Sequence, residues 1–516
     1  MMNTKLKLIV FLALATLAAL PCSAQVQVWH QDVEQVNANL RGATVILGQR
    51  TIDVSAAGKV LVQFDGNCVS TDGDRIILAA SNNGEWGVND GHVAVEAYDS
   101  DINRHSFSHS RMYEVGAGSH TFYAVGRNLV ETAGTGIASV YASLTIKFFP
   151  NETGGAFVSH TGIVDTNNYV RGHPEIIEQV DLVFPGPGEV LVRFEGMCVS
   201  DPGDRIYLAA SNTPGWTPAD GLTLTEALNS DANARVFCHS RRYAVSGGLD
   251  SFFAVAENYI ETDGDGEISL YGSFTVEYFP SDTDAVFLAH TGVNQPNVDV
   301  EGAVVTMGQL TINPTARGTA VVRYEGWCAS SPGDRIIMAA SDNGSWSPNA
   351  GAVSGEAVST DLNTNGFSHT RAYEIEPGPA TFYAVCQNYV ETAGTGVASN
   401  YASLSVEFFA DPSASAVLDE SVVSASFDLE TNYPNPFNPS TTIAYNLVEP
   451  AVVTLRVFNL LGQEVKTLVN EAQLPGRWVQ EWDGKNTQGN PVPSGVYLYQ
   501  LKAGLQQETR KMMLMK

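Results

Sequence analysis

Charged side chains are scarce in this sequence, and positive ones are the scarcer kind. Only 16% of the 516 residues are charged, and 28 Lys and Arg stand against 56 Asp and Glu, a formal net charge of −28. Such a field repels nucleic acid and anionic lipid, so neither is expected as a partner. A membrane helix needs about 20 apolar residues in a row. No segment after residue 24 meets that need, and no integral membrane segment is expected.

The sequence also lacks the short motifs of common enzyme chemistries. It contains no HExxH, no CxxC, no Walker loop and no nucleotide-binding fingerprint. Acidic residues abound, but no pattern marks a pair of carboxylates for sugar hydrolysis. We therefore expect a protein that is not an enzyme and that uses no cofactor. A glycan-degrading enzyme is the less favoured alternative.

Cysteines are few and do not form a repeating set of pairs. Five of the six lie beyond residue 24, an odd number, and only Cys68, Cys198 and Cys328 recur at a fixed step. A disulfide framework would recur with the repeat, so none is expected. Alternation along the strand places Cys68 on the same face as the apolar residues before it. The recurring cysteine is thus predicted to be a small buried hydrophobe.

What the chain does contain is a threefold repeat. GNCVSTDGDRIILAASN at 66–82 returns as GMCVSDPGDRIYLAASN from 196 and as GWCASSPGDRIIMAASD from 326, a step of 130 residues. This period is far longer than a solenoid unit and long enough for a domain with its own core. We expect three tandem domains at 25–156, 157–286 and 287–410. Because the joints are short, we expect a stiff rod.

Each repeat is predicted to be an antiparallel β-sandwich or jelly roll, which makes the fold class all-β. The repeat contains many Gly, Val, Thr and Tyr residues, its apolar residues alternate, and no stretch has helical periodicity. Without crossover helices a parallel sheet is disfavoured. Strands are predicted in the first repeat at 44–47, 50–54, 60–66, 75–80, 106–115, 120–125 and 139–149. The polar stretch 81–103 is expected to be a long loop with at most one short strand.

Two recurring patterns supply candidate ligand-binding residues. FSHSRMY at 107–113 and its copies place His, Arg and Tyr on one strand face, where Arg could meet a carboxylate or a sugar hydroxyl. Pairing with acids on the next strand is the alternative. NLVET at 128–132 and its copies place Asn and Glu at a strand end before a Gly turn. The candidates are His109, Arg111, Asn128, Glu131, His239, Arg241, Asn258, Glu261, His369, Arg371, Asn388 and Glu391.

Two further patterns favour structural roles. Gly-Asp-Arg at 73–75, 203–205 and 333–335 precedes a strand, where an Asp-Arg pair usually holds a turn. In the second repeat alone, Asp263, Asp265 and Glu267 would offer oxygen ligands to Ca²⁺. The other copies lack these acids, so an acidic hairpin turn is favoured and no metal site is predicted.

The two ends of the chain differ from the repeats. Lys5 and Lys7 precede a short apolar run that ends in Cys-Ser-Ala at 22–24, which is typical of a secretory signal at 1–24. Residues 411–427 are small and polar, as expected for a linker. Residues 428–516 contain alternating segments that predict a small immunoglobulin-like sandwich.

The last module carries a dense family resemblance. NYPNPFNPSTTIAYNL, VFNLLGQEVKTLVNE, WDGKNTQGNPVPSGVYLYQLKAG and the terminal KMMLMK resemble the C-terminal type A sorting domain of type IX secretion cargo in Bacteroidetes-type bacteria. The module is also similar to the immunoglobulin-like domain of flagellar hook-capping proteins. The residues that match the sorting-domain motif are Asn432, Pro434, Asn435, Pro436, Phe437, Asn438, Pro439, Gly462, Trp482, Gly484, Gly495 and Tyr497.

The resemblance implies where the protein goes. It implies export across the outer membrane by the type IX machinery, then removal of the module by a surface sortase-like peptidase near residues 412–426. The product would be secreted or held at the cell surface. Repetition of a module raises avidity, whereas one active site suffices for turnover. We therefore expect a non-enzymatic, adhesin-like binding protein with an extracellular glycan or protein ligand. A structural surface or filament component without a small ligand is the alternative.

Overall fold

The computed structural model is all-β, as predicted. It describes residues 25–515 except 88–91, 97–103, 131–133, 152–154, 216–221, 227–233, 262–265, 347–351, 357–363, 392–393, 412–427, 430–431, 433–434, 436, 448–450, 460–462, 474–475 and 504–505. The described residues form antiparallel sheets and contain no helix. None of them, accordingly, belongs to a helix long and apolar enough to cross a membrane.

The first repeat is an eight-stranded jelly roll. Its strands are β1 (Gln27–Asn39), β2 (Val45–Val54), β3 (Gly58–Val69), β4 (Arg75–Ser81), β5 (Val93–Glu96), β6 (Arg104–Val115), β7 (Gly118–Val130) and β8 (Ile137–Pro150). They form one sheet in the order β1-β8-β3-β6 and a second in the order β2-β7-β4-β5. Successive strands thus alternate between the two sheets until β5, which is the connectivity of a jelly roll.

The other two repeats have the same topology. The second comprises β9 (Phe157–Tyr169), β10 (Glu175–Phe184), β11 (Gly188–Ser200), β12 (Asp204–Ser211), β13 (Thr223–Glu226), β14 (Ala234–Val245), β15 (Gly248–Glu261) and β16 (Glu267–Pro280). The third comprises β17 (Val286–Asp299), β18 (Val305–Ile312), β19 (Gly318–Ser330), β20 (Asp334–Ser341), β21 (Val353–Glu356), β22 (Thr364–Ile375), β23 (Ala380–Glu391) and β24 (Val397–Ala410). We call the sheets β1-β8-β3-β6, β9-β16-β11-β14 and β17-β24-β19-β22 the central sheets.

The strand predictions for the first repeat were right in position and too short in length. The segments 44–47 and 50–54 are one strand, β2, and the short strand expected within 81–103 is β5. Strand β1 was missed, because most of its residues are polar and half-exposed or exposed. Its place is fixed by backbone pairing with β8 rather than by an apolar face.

Alternation along β3 divides its side chains between two buried environments. Val60, Val62 and Phe64 point into the jelly-roll core, together with Cys68. The five described cysteines are free and buried, so the prediction of Cys68 as a core residue is confirmed. The opposite face of β3 is also buried, although it carries Gln63 and other polar residues. The alternation of the sequence alone would predict that this face of β3 is exposed to solvent.

The three repeats pack together, so the predicted rod is wrong. Residues Met1–Val417 form one compact unit. Arg323 of the third repeat donates to Gln63 of the first at 2.7 Å, and Arg371 lies 3.0 Å from Asp32. The third repeat therefore returns to the first, and the short joints close a ring instead of extending a rod. Each central sheet has a polar face, and the neighbouring repeats pack against that face and bury it. This packing is why the repeats form a closed unit.

One part of this interface is apolar. Leu61, Leu191 and Val321 occupy the same position in β3, β11 and β19, and all three are fully buried. They belong to one cluster with Phe149, Phe279 and Phe409. Burial of these side chains favours association of the three central sheets by roughly 1.5–3 kcal/mol per large residue.

The rest of the interface is a buried charge network. Lys147 pairs with Glu277 at 2.8 Å and also with Glu407, and these three residues hold equivalent positions in the repeats. Arg323 lies 3.0 Å from Glu407. Arg193 lies 2.9 Å from Glu325. All of these pairs except Arg323–Glu407, which lies within the third repeat, join different repeats, so the network connects all three.

The network contains more acidic than basic groups. Three cations, Lys147, Arg193 and Arg323, meet five buried carboxyl groups, those of Asp65, Glu195, Glu277, Glu325 and Glu407. Burial raises the pKa of Asp65 despite the nearby Arg323 and Arg193. Burial and the neighbouring Glu407 raise the pKa of Glu277. Both shifts favour the protonated, neutral form of the carboxyl and so reduce the excess of negative charge in this interior.

The C-terminal module forms a separate compact unit, Leu418–Lys516. Its strands are β25 (Asp428–Leu429), β26 (Thr441–Leu447), β27 (Ala451–Phe458), β28 (Glu464–Gln473), β29 (Gly476–Trp482), β30 (Gly495–Ala503) and β31 (Gln506–Leu514). They form a three-stranded sheet, β25-β26-β29, against a four-stranded sheet, β28-β27-β30-β31. Trp482, Tyr445 and Tyr499 fill the core between them.

Several of the residues that were predicted to form a sorting-domain motif hold this module together. Phe437 is buried, and its backbone N–H donates to the carbonyl of Met513 at 2.9 Å. The Met513 N–H donates to Asn435 Oδ1 at 2.9 Å. Asn432 donates to Thr441 Oγ1 at 2.9 Å, so the motif is fastened to both β31 and β26.

The remaining motif residues serve turns and the core. Trp482 is buried, and its indole N–H donates to the carbonyl of Lys485 at 2.9 Å. The Tyr497 hydroxyl donates to the carbonyl of Pro493 at 2.8 Å. Gly484 has a φ of +65°, which favours glycine. Asn438, Pro439 and Gly495 are in the described residues, whereas Pro434, Pro436 and Gly462 lie outside them.

The charge network makes the first prediction. Lys147→Met should destabilise the three-repeat unit by about 3–5 kcal/mol, because it leaves Glu277 and Glu407 buried beside each other without their cation. Chemical denaturation followed by tryptophan fluorescence measures this change. Lys502→Met is the control, since Lys502 is an exposed residue of the C-terminal module. Equal stability of the two variants would contradict a structural role for the network.

Candidate functional site

The predicted histidines are buried braces between the two sheets of each repeat. His109 Nδ1 accepts from the backbone N–H of Ala80 at 3.0 Å. His239 and His369 make the same bond to Ala210 and Ala340, each at 2.9 Å. Burial lowers the pKa of His109 to about 3, which keeps its imidazole neutral. The expected groove face is therefore an inner face, because its histidines complete the hydrogen bonding of strands β4, β12 and β20.

The predicted asparagines fasten a loop. Asn128 donates to Asp74 Oδ1 at 2.6 Å and accepts from the Arg75 backbone N–H at 3.3 Å. The Gly136 N–H donates to the same carboxylate at 2.8 Å. Asn258 and Asn388 make the corresponding bonds to Asp204 and Asp334. This is the structural role predicted for Gly-Asp-Arg, and it corrects the assignment of Asn128, Asn258 and Asn388 as ligand contacts.

The side chains of the predicted glutamates, and two of the three acids of the suggested calcium turn, lie outside the part of the chain that the structure describes. Glu131 lies outside the described residues, and so do Asp263 and Asp265. Glu261 and Glu391 end strands β15 and β23, with side chains outside the described set. Among the described residues, no group of three or more His, Cys, Asp or Glu side chains could hold a metal ion.

The predicted arginines lie at the boundaries between repeats. Arg371 Nη1 is 3.0 Å from Asp32 Oδ1, across the boundary of the third and first repeats. Arg111 lies close enough to His160 of the second repeat to lower its pKa, although burial is the larger cause. Arg241 acts in the same way on His290 of the third repeat. The three arginines thus occupy equivalent places in three boundaries.

The three boundaries differ at the position of Asp32. Asp32 of β1 pairs with Arg371, but the equivalent residues of β9 and β17 are Gly162 and Gly292. A Cβ atom added at either glycine would have no heavy atom within 4 Å. The space that an aspartate side chain fills beside Arg371 is therefore open beside the glycines.

A cavity of about 170 Å³ lies at the boundary of the second and third repeats. Its walls include Leu222, His239, Arg241, His290, Glu325 and Tyr401. The Tyr401 ring stacks on Trp327 with ring centroids 4.5 Å apart. Two of the predicted binding residues, His239 and Arg241, thus meet at this cavity. We take it as the candidate functional site.

Two polar groups of the cavity have unused hydrogen-bonding atoms. Within the described residues, neither His290 Nε2 nor Glu325 Oε1 has a hydrogen-bond partner. The other oxygen of Glu325 accepts from Arg193 at 3.0 Å and from Ser368 at 3.2 Å. The nearby Ser240 hydroxyl lies 3.0 Å from Ser403 Oγ.

Their ionisation follows from these surroundings. Burial opposes ionisation of Glu325, but Arg193 and Arg323 outweigh it and lower its pKa to about 2. Burial lowers the pKa of His290 to about 4, Arg241 and Arg242 add to the effect, and Glu325 and the Ser240 backbone oppose it. At neutral pH the cavity therefore presents a cation, a neutral imidazole and a carboxylate.

The cysteines near the cavity are held in the thiol form. Cys238, on the neighbouring face of β14, is buried, and burial raises the pKa of its thiol. Burial also raises the pKa of Cys198 to about 12. Because the thiolate is the nucleophile, these cysteines are unreactive at neutral pH.

Sequence reasoning missed three residues of the site: His290, Gly292 and Glu325. His290 lies outside the two recurring patterns that supplied candidates, and Glu325 sits in a stretch that looks like an ordinary alternating strand. The available signal was the exchange of Asp32 for Gly162 and Gly292 in otherwise similar copies. What this exchange implies depends on which repeats are in contact, and the structure shows those contacts.

Similarity to known proteins is limited to part of the chain. Residues 438–507 match the family described as FlgD Ig-like domain, in agreement with the expected immunoglobulin-like fold. No curated protein matches this sequence. A match to less than a seventh of the chain places the C-terminal module alone.

Three of the solved structures that are similar to parts of this chain are described here by their sequence identity, coverage and TM-score. PorZ of Porphyromonas gingivalis, described as an essential surface component of the type IX secretion system, is 17% identical over 22% of this chain and 14% of its own, with a TM-score of 0.14. Dimeric latent PorU of the same organism is 7% identical over 95% and 87%, with a TM-score of 0.16. PNGF-II is 10% identical over 69% and 100%, with a TM-score of 0.22. These TM-scores are too low to indicate a shared overall fold.

The buried histidines predict a pH dependence. The unfolded pKa of His109 is near 6.5 and the folded one about 3, so the unfolded chain binds more protons between these values. Stability is therefore fully present above about pH 6.5 and falls as the pH drops, by about 2 kcal/mol for this residue at pH 5. His109→Asn, which keeps an acceptor for Ala80, should lose correspondingly less stability between pH 7 and pH 5.

Urea denaturation at the two pH values measures this difference. His120 is half-buried and makes a solvent-exposed hydrogen bond to the Gly116 carbonyl, and it provides the control variant, His120→Asn, whose pH dependence should match that of the wild type. Identical pH dependence of the wild type and His109→Asn would show that His109 is not held neutral.

Proposed function

We propose that the chain is a secreted or cell-surface binding protein without enzymatic activity, exported by a type IX pathway through residues 428–516. The export half is supported by the leader-like residues 1–24 and by the sorting-domain motif. The family match at 438–507 supports an immunoglobulin-like module at that place. In the module, Asn435 and Phe437 of the motif fasten the first segment to β31.

The binding half is carried by one observation, the cavity at the second and third repeats. It combines Arg241 with a buried carboxylate oxygen and an imidazole nitrogen that lack partners in the described residues. Buried polar atoms without partners cost free energy, roughly 1–3 kcal/mol each. A ligand that supplies those partners recovers this free energy on binding.

The packing of the three repeats bears on whether they bind by avidity. We expected three equal units to act by avidity. The boundaries differ, however, since Asp32 closes one of them and glycines leave the others open. Binding is therefore assigned to a boundary of the assembled unit that a glycine leaves open, and an isolated repeat would present only one wall of it.

A structural surface component is the second candidate. The buried charge network supports it, because such a network fixes one arrangement of the repeats without needing a ligand. A glycan array probed with the full-length chain separates the two. Binding to a defined set of glycans supports the binding protein, and a clean negative supports the structural component.

The export proposal makes a prediction about localisation. A chain that ends before residue 428 should accumulate in the periplasm, whereas the complete chain should reach the culture medium or cell surface without its C-terminal module. Fractionation of a type IX-competent host and mass spectrometry of the exported form measure both outcomes. A chain with the core substitution Trp482→Ala should behave like the truncated one, because Trp482 fills the core of the module.

The opposite results would contradict the proposal. Export of the truncated chain would show that the module is not the export signal. An exported form that still contains Lys516 would contradict removal of the module.

A further inference from the structure

We propose that Lys147 and Glu277 condense into an amide bond that links the first repeat covalently to the second, and that Glu407 carries the proton in this step. The structure shows the three side chains in contact before reaction. This inference adds a modification site inside the three-repeat unit and does not rest on the proposed binding function. It is carried by the approach of the amine to the acid, the exclusion of solvent and the different surroundings of the two acids.

The amine of Lys147 faces the carboxyl group of Glu277 directly. Lys147 in β8 and Glu277 in β16 hold equivalent positions in neighbouring repeats. The Nζ atom is 3.1 Å from Oε1 of Glu277 and 2.8 Å from Oε2. A nitrogen this close to both oxygens also lies near the carbon between them, at about the 3–3.5 Å from which a nucleophile attacks. The packing of the repeats therefore already positions the two reacting atoms.

Solvent is excluded from these side chains. Lys147, Glu277 and Glu407 are each at most 1% exposed. Burial disfavours an ammonium and a carboxylate, and so favours the uncharged amine and carboxylic acid that can react with each other. The amide that they form is neutral, so condensation removes a buried pair of charges. Because solvent is excluded, the amide is also protected from hydrolysis.

The two acids have surroundings that suit different roles. Burial and the neighbouring Glu407 raise the pKa of Glu277, against the opposing effect of Lys147 and Arg323. Glu277 is thereby favoured as the carboxylic acid, whose hydroxyl can leave. Glu407 contacts Lys147 and also lies 3.0 Å from Arg323 Nη1, so a carboxylate at this place keeps a cation beside it. Two carboxyl groups in different environments can divide acid and base roles in this way.

The reaction needs only groups that are present. The carboxylate of Glu407 takes a proton from the Lys147 ammonium, and the freed electron pair on Nζ attacks Cδ of Glu277. The C–O bond to the Glu277 hydroxyl breaks, and the hydroxyl leaves as water with a second proton from the nitrogen. The remaining proton stays on the amide nitrogen. The products are a neutral amide, water and protonated Glu407, so atoms and charge balance without an oxidant or an activating group.

Lys147 is the one cation of the network that can react in this way. Among the residues that the structure describes, it is the only buried lysine. The other two cations, Arg193 and Arg323, carry guanidinium groups, which stay protonated and do not act as nucleophiles. A single linkage in each chain is therefore expected.

Mass spectrometry of the full-length chain tests this inference directly. In denaturant, the intact chain should be lighter than its processed sequence by one water molecule. Digestion should yield a branched peptide that joins Lys147 to Glu277, and trypsin should not cleave after Lys147, because it does not cleave after an acylated lysine. The wild-type protein alone shows whether the bond exists, so this result does not depend on the folding of a variant.

Two variants assign the roles of the acids. Glu277→Met removes the acid that reacts and should abolish the branched peptide. Glu407→Gln keeps the shape of the side chain but cannot take up the proton, and general base catalysis contributes about 10²–10⁴-fold. The linked fraction, measured at the same time after synthesis, should therefore fall by at least about tenfold. Glu195→Gln is the matched control and should stay fully linked, because Glu195 is buried in the same network but pairs with Arg193.

Each part of the proposal has its own contradicting result. A wild-type chain with the full mass of its processed sequence, and with normal cleavage after Lys147, would overturn the bond. A branched peptide that joins Lys147 to Glu407 would overturn the choice of Glu277 as the reacting acid. Unchanged linkage in Glu407→Gln would overturn the role of Glu407 as the proton carrier.

Discussion

The buried charge network between the three central sheets is the constraint on which this structure depends. Each jelly roll can bury its own hydrophobic core. The outer face of its central sheet, however, carries ionisable groups that pair with groups of the other repeats. Lys147 and Arg193 each pair with acids of a different repeat, Arg323 donates to Gln63 of the first repeat, and none of the three is exposed to solvent. Separating the repeats would either expose this face or leave charges unpaired, so the three repeats must fold as one unit.

The network also explains why the three copies are not interchangeable. One equivalent position carries Lys147, Glu277 and Glu407, and another carries Gln63, Arg193 and Arg323. A trimer of identical chains would place three like groups together at each point, because a symmetry axis repeats every residue. A single chain can vary the copies independently. The same freedom closes one boundary with Asp32 and leaves a cavity beside Gly292, so the candidate site results from the asymmetry of the repeats.

Much of the local fold could be predicted from the sequence. The alternation of Val60, Val62 and Phe64 predicted β3 and its core face, and the step of 130 residues predicted three like sandwiches. The assembly could not be predicted, because Gln63 and Asp65 alternate as solvent-facing residues do. Of the predicted site residues, Arg241 lines the cavity, whereas the histidines and asparagines make hydrogen bonds within their own repeats. The alternation along a strand shows on which face of the sheet a residue lies, but it does not show what packs against that face.

Differential scanning calorimetry of the full-length chain tests this account most directly. One cooperative transition should contain all three repeats, with equal calorimetric and van't Hoff enthalpies, and a second should belong to the C-terminal module. Three separate transitions for the repeats would contradict the account, because they would show that the jelly rolls are stable without the charges they share.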